Sequence, residues 1–205
     1  MVIFENAGSA NMQETIRLAV KRAMELDCDI VTCSTRGLTA EALLNHAEEV
    51  GFKNKIVVVR GVGNKRREGV NMLDEEDKAA LEARGAKIVT AGHALSAGER
   101  GLSGVFKGIY PLEIMAATLR TFGQGVKVAF ECAVMALEAD QIPFGKPVVA
   151  MGGTGVGVDA AIVITPCYSA DILDTVVHEV ICKAWNLKAK TPEFIDYANY
   201  KKEKK

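Results

Sequence analysis

Two segments rich in hydroxyl groups and glycine carry most of the chemistry in this sequence. In the first, Ser34, Thr35, Arg36, Gly37 and Thr39 fall together where an apolar run gives way to a helical pattern. The hydroxyls can donate hydrogen bonds, Gly37 lets the backbone approach a ligand closely, and the free N–H groups that open the next helix carry partial positive charge. That combination makes a cradle for an anion, although Ser and Thr at such a point also serve simply as helix caps. In the second, Gly152, Gly153, Gly155 and Gly157 surround Thr154 and precede Asp159. Backbone this open can wrap an anion as a nest, with Thr154 as a further donor and Asp159 as an acceptor for a sugar hydroxyl. The same glycines also suit a tight turn between two strands.

Weaker signals lie elsewhere. His93 sits beside a glycine-rich stretch with Ser96, Glu99 and Arg100, where it is a candidate general acid or base, a ligand contact or a plain surface histidine. Arg120 and Lys127 flank Phe122-Gly123-Gln124-Gly125, so they are placed either to clamp phosphate or to cap helix ends. Cys33, next to the first segment, reads as a buried structural thiol. His46 and His178 read as solvated, and three histidines without a common spacing predict no metal site. A dinucleotide fingerprint should open a helix after the first strand, whereas Gly153-Thr154-Gly155-Val156-Gly157 falls between two strands; NAD is disfavoured. The chain has no Gly-Lys-Ser or Gly-Lys-Thr triplet, so a Walker-type ATPase is disfavoured too.

The elements that must position these residues follow from periodicity. A helix from Asn11 carries Ile16, Ala19, Val20, Ala23 and Met24 at helical spacing, with Asn11 to Glu14 in capping-box form. The run from Asp29 to Ser34 predicts a first strand covered on both faces. A second helix over 39–50 ends at a C-cap Gly51. Lys55–Arg60 predicts the second strand, and Gly61–Leu73 a long loop before a helix capped by Asp74. The third strand is Ala86–Thr90. The stretch from Ala91 to Pro111 is longer than ordinary connections and reads as a functional or mobile loop, with Phe106, Ile109 and Tyr110 as a candidate subunit contact in a homo-oligomer. Helices over 112–121 and 126–139 lead to a fourth strand, Pro147–Met151. Eight residues then connect it to a fifth, Ala160–Thr165, too short a link for a crossover helix, so the fifth strand runs antiparallel to the fourth. A last helix from near Ser169 is expected to bury Ile172, Val176, Val180 and Trp185, before a polar tail frayed from about 198.

Composition sets the class. The 205 residues, 49% hydrophobic and 25% charged, suit a single domain spanning 1–205 with one core. The 25 basic and 26 acidic residues nearly cancel, which disfavours a nucleic-acid partner. Five cysteines without a C-x-x-C pair suit reduced thiols, and no run is long and apolar enough to span a membrane, so the expected place is the cytoplasm with no membrane partner.

The stretch Ile30–Ala40 resembles the first strand and effector-phosphate loop of the pyruvate kinase C-terminal domain, an apolar strand followed by Thr-x-Ser-Gly-x-[Thr/Ser]-Ala. The hairpin Val148–Ile164 resembles that domain's last two strands. Over nearly the whole chain there is a closer similarity to the stand-alone pyruvate kinase C-terminal-domain-like proteins of archaea and bacteria. It is carried by Asn11, Ser34-Thr35-x-Gly37-x-Thr39-Ala40, His93 with Glu99-Arg100, Leu119-Arg120-x-Phe122-Gly123-Gln124-Gly125-x-Lys127-Val128 and Gly153-Thr154-Gly155-x-Gly157-x-Asp159.

The resemblance implies a three-layer α/β/α fold on a five-stranded mixed sheet of order 3-2-1-4-5, the fifth strand antiparallel. Ligands of open α/β sheets sit at the carboxyl ends of the strands where the order reverses, here between the first and fourth strands, so the two segments should meet there. The kinase's catalytic residues lie in a domain this chain lacks, and phosphoryl transfer is not implied. Two classes of function remain. In one, the chain binds a phosphate-bearing molecule, FMN by resemblance to the stand-alone family, as enzyme or carrier; in the other it is a non-catalytic sensor of a sugar phosphate or other phosphometabolite. The residues implied for the ligand are Ser34, Thr35, Arg36, Gly37, Thr39, Gly152, Gly153, Thr154, Gly155, Gly157, Asp159, His93 and Lys127. No nucleophile and base pair defines a reaction.

Overall fold

The computed structural model describes residues 1–65 and 68–190. Its strands are β1 (Val2–Ala7), β2 (Ile30–Cys33), β3 (Ile56–Gly61), β4 (Lys87–Ala91), β5 (Val148–Gly152), β6 (Ala160–Thr165) and β7 (Val176–Lys190). The α-helices are α1 (Met12–Leu26), α2 (Leu38–Val50), α3 (Glu75–Ala83), α4 (Ala97–Phe106), α5 (Pro111–Arg120) and α6 (Gln124–Glu138). All seven strands form one sheet in the order β1-β7-β6-β5-β2-β3-β4. The five strands expected from sequence lie in the expected order, with β2, β3, β4 and β5 parallel and β6 antiparallel to β5 through pairs such as Val149 with Val163.

The sheet has seven strands, not five. The expected last helix is instead a short 3-10 turn, Ser169–Asp174, followed by β7, which pairs antiparallel with β6. Ile172 is buried, but Val176 and Trp185 are exposed. Residues 172, 176 and 180 repeat every fourth position, a spacing that fits one face of a helix and equally one face of a strand. The β-branched residues Val176, Val177, Val180 and Ile181 favour the strand. Once β7 is a strand, its free edge accepts β1 in parallel register, Val2 beside Cys182. The tail expected to fray lies outside the described residues.

Two cores sandwich the sheet. On one face α1 and α2 bring Ile16, Val20, Leu43 and Ala47 onto Val58, Met151 and Val163; on the other, α6 brings Phe130, Ala133 and Leu137 onto Val31, Val57, Ala150 and Ile162. The α1 stripe is buried as its spacing predicts, except for the exposed Met24. Asn11 does not complete the expected capping box. Its Nδ2 donates back to the Asn6 carbonyl at 2.8 Å, because a 3-10 turn over Ser9–Asn11 leads the chain from β1 into α1. α2 is flanked by Gly37, at φ +94°, and Gly51, at φ +71°, both in the left-handed region that glycine adopts without strain. Asp74 caps α3, its Oδ1 accepting the Asp77 amide at 2.9 Å.

The stretch expected as a long loop after the third strand contains α4. Its apolar residues Val105 and Phe106 are exposed, and four glycines between 98 and 108 hide its helical pattern in the sequence. Glu99 accepts the Glu113 amide at 3.2 Å and Glu113 accepts from Ser103 at 2.8 Å, so α4 and α5 are tied into a hairpin. Helix α5 packs against α6, which is buried around nearly its whole circumference. Among the described residues, no helix is long and apolar enough to cross a membrane.

Candidate functional site

The strand order reverses between β2 and β5, and a cleft of about 390 Å³ opens at their carboxyl ends. Ser34, Thr35, Arg36 and Thr39 line it from the β2–α2 turn, and Gly155, Val156 and Gly157 from the β5–β6 hairpin. Cys33, Leu38 and Met72 complete the wall. The two segments picked out in the sequence therefore meet. Met72 is held in place from below: the buried Arg60 guanidinium donates to the Leu73 carbonyl at 2.7 Å, to Thr90 Oγ1 at 2.6 Å and to Glu75 at 3.0 Å.

The first turn of α2 faces this cleft. Ser34 Oγ accepts the Ala40 amide at 3.3 Å, and the Gly37 carbonyl accepts that of Glu41 at 2.9 Å. The amides of Leu38 and Thr39 are the remaining donors of that turn, which a helix cannot satisfy internally. Ser34 uses its oxygen as an acceptor and keeps its O–H for another partner. Thr39 is 4% exposed, and its position in the cleft wall gives a ligand a donor screened from bulk water. The turn thus offers N–H and O–H donors at the positive end of a helix, with apolar side chains opposite.

Among the described residues, the cleft lining does not include Gly37, Gly152, Gly153, Thr154, Asp159, His93 or Lys127. Gly37 supplies its positive φ, and a Cβ there would press on Leu73 Cδ1 at 3.2 Å rather than enter the cleft. Gly152 permits close packing of β5 on α6, since a Cβ would overlap the Gly125 carbonyl; at Gly153 it would overlap the Gly157 carbonyl across the hairpin. Asp159 is 2% exposed and accepts the Gly8 amide at 2.8 Å together with hydrogen bonds from Thr154. Burial raises its pKa despite these donors. Its carboxylate joins the β1–α1 connection to the hairpin. Arg120 donates to the Gln124 side chain at 2.9 Å.

His93 and Lys127 converge on a residue that sequence reasoning missed. Glu131, 1% exposed on α6, accepts the Leu95 amide at 2.9 Å through Oε1, while its Oε2 meets the Lys127 ammonium and His93 Nδ1, the latter at 3.1 Å. Lys127 is 3% exposed. Burial alone would raise the Glu131 pKa, but the hydrogen bonds from His93 and Lys127, the Lys127 charge and the Leu95 amide together hold it at about 2. The sequence does carry a signal for this pair: Lys127 and Glu131 stand four apart in a helix whose other residues from 125 to 137 are uncharged, and charges buried with such neighbours must pair. No family model matches the chain.

Proposed function

We propose that the chain binds a phosphate-bearing small molecule, FMN, in the cleft between β2 and β5, within an α/β domain of the pyruvate kinase C-terminal-domain-like type. The observation that carries this reading is the meeting of the Ser34–Thr39 turn with the Gly155–Gly157 hairpin at the switch point of the sheet. The hydroxyls of Ser34, Thr35 and Thr39, with the amides opening α2, are the phosphate's partners. Leu38, Met72 and Val156 give a flat ring system an apolar wall, which favours a flavin over a bare sugar phosphate. Bound flavin supplies redox chemistry of its own, and the role of the protein is to hold and orient it.

A second reading is favoured by the lining itself. Among the described residues, Arg36 and Cys33 are its ionisable side chains, an arrangement suited to a non-catalytic sensor of a phosphometabolite. Protein purified from cells distinguishes the two. A flavin protein absorbs in the flavin bands and releases FMN on denaturation, identified by mass. A colourless preparation whose Tm rises with a sugar phosphate but not with FMN overturns the flavin reading in favour of the sensor.

A further inference from the structure

The three histidines of the chain differ in which ring nitrogen is left open. His178 Nε2 is bonded to Thr165 Oγ1 at 2.8 Å. His46 Nδ1 lies 3.5 Å from the carboxylate of Glu49, whose side chain is largely exposed, so water competes for that contact. His93 Nδ1 lies 3.1 Å from Glu131 Oε2, on a carboxylate buried in the fold. The Lys127 ammonium and the Leu95 amide hold Glu131 as an anion, and an ionised carboxylate only accepts hydrogen bonds. The proton between the two side chains is therefore on Nδ1. The neutral His93 ring then carries its lone pair on Nε2, which has no partner among the described residues, on a side chain 62% exposed.

We propose that His93 Nε2 is a phosphoryl-acceptor site, modified by a small donor whose phosphoryl group sits on a good leaving group, an acyl phosphate or a phosphoramidate. The Nε2 lone pair forms an N–P bond as the donor's P–O or P–N bond breaks, and that electron pair leaves with the carboxylate or the ammonia. Nδ1 keeps its proton, so no base has to remove one. The ring becomes cationic in the step, and the Glu131 carboxylate, already hydrogen-bonded to Nδ1–H, offsets that charge as it forms.

Exposure selects this chemistry over its alternatives. A general base open to solvent competes with water for each proton it takes, and orientation helps it little where nothing excludes water. A nucleophile needs access and an oriented lone pair, and His93 has both. An acyl group on such a ring is open to attack by water, whereas a phosphoryl group carries negative charge that repels hydroxide. The orientation is built into the fold: Glu131 and Lys127 come from α6, and His93 and Leu95 from the segment between β4 and α4, so both elements must be in place to fix the ring. Among the described residues, the lining of the cleft between β2 and β5 does not include His93, so this site does not rest on the flavin reading.

The test uses the full-length protein without FMN, with potassium phosphoramidate as the probe. Peptides are mapped by mass under alkaline conditions that preserve the N–P bond, and the ring position is assigned by phosphorus NMR. The expected result is phosphorylation of His93 on Nε2, on the order of tenfold faster than of His46 or His178. The double change Lys127→Met with Glu131→Leu leaves no member of this buried pair unmatched, and it should bring the His93 rate down to that of the other two. Wild-type labelling of His93 no faster than of His46 and His178 overturns the proposal, and so does modification at Nδ1. Both results are read on wild type and need no variant to fold. A double variant that is folded by circular dichroism and labels His93 at the wild-type rate overturns it as well.

Discussion

The carboxyl edge of the sheet holds two polar regions that differ in where their charges and donors point. Beside β2 and β5, the turn over Ser34–Thr39 lines a cleft with hydroxyl-bearing residues at the start of a helix. Beside β4, the cluster of His93, Lys127 and Glu131 directs its charges at one another, with both carboxylate oxygens engaged. The first arrangement can take up an anion. The second braces the segment after β4 against α6 and leaves the His93 imbdazole partly in solvent, with its side chain 62% exposed. Residue type alone points to the second region, since it has the histidine and the lysine. The cleft, lined by hydroxyl-bearing residues at a helix N-terminus, points to the first.

The largest effect should come from breaking the brace. Replacing Glu131 by Ala leaves the Lys127 ammonium buried without a counter-charge, a change that costs about 3–5 kcal/mol, read as a large drop in Tm or in the denaturant midpoint. The double change Lys127→Met with Glu131→Leu should recover most of that loss. Acid unfolding gives an independent check. The Glu131 pKa falls from 4.5 to about 2 on folding, so its stabilisation is present above 4.5 and is lost as pH falls through that window. Stability of the double variant should therefore depend less on pH between those values. Equal stability of wild type and Glu131→Ala would mean that the brace does not hold the fold.

Next in size is the cradle. Thr39→Ala removes one donor to a charged group, worth roughly 1.5–3 kcal/mol, so FMN affinity should fall on the order of tenfold to a hundredfold in a fluorescence titration. Riboflavin, which lacks the phosphate, should bind both proteins alike. If both ligands weaken equally, Thr39 does not contact phosphate and the contrast between the two regions fails.

Gly152→Ala tests whether that glycine belongs to the site or to the packing beneath it. A Cβ there would overlap the backbone of α6, and overpacking of this kind costs about 1–3 kcal/mol of stability. The preference for FMN over riboflavin should survive in the folded fraction. The smallest effect is expected from His93→Ala, within about 1 kcal/mol for a largely exposed partner in an ion pair, with FMN affinity unchanged. A loss of FMN binding in that variant would join the two regions into one site.

The legible part of the molecule is the part whose residues meet only one constraint. The strands β2 to β6 are short apolar runs between clear turn signals, and their order follows from the resemblance, so the junction of the two loops could be anticipated. β7 was not legible because every fourth residue satisfies both periods, and β1 was missed because its place depends on β7. α4 was hidden by its glycines. Within the site, Ser34 and Thr39 were readable because a strand-to-helix turn fixes where their side chains go. Gly152, Gly153 and Asp159 were assigned to the ligand on type, whereas close packing of β5 on α6 and the Gly8 amide use them inside the fold. Glu131 was overlooked because burial around nearly the whole of α6 depends on tertiary neighbours, among them α5 and the segment at Leu95.

The central claim concerns where the phosphate lies, and a crystal structure of the protein grown with FMN measures that directly. The account predicts phosphate density within hydrogen-bonding distance of Thr39, Ser34 and the amides opening α2, with the ring system against Leu38, Met72 and Val156. Phosphate density beside His93 and Lys127, or anywhere remote from the Ser34–Thr39 turn, would contradict it.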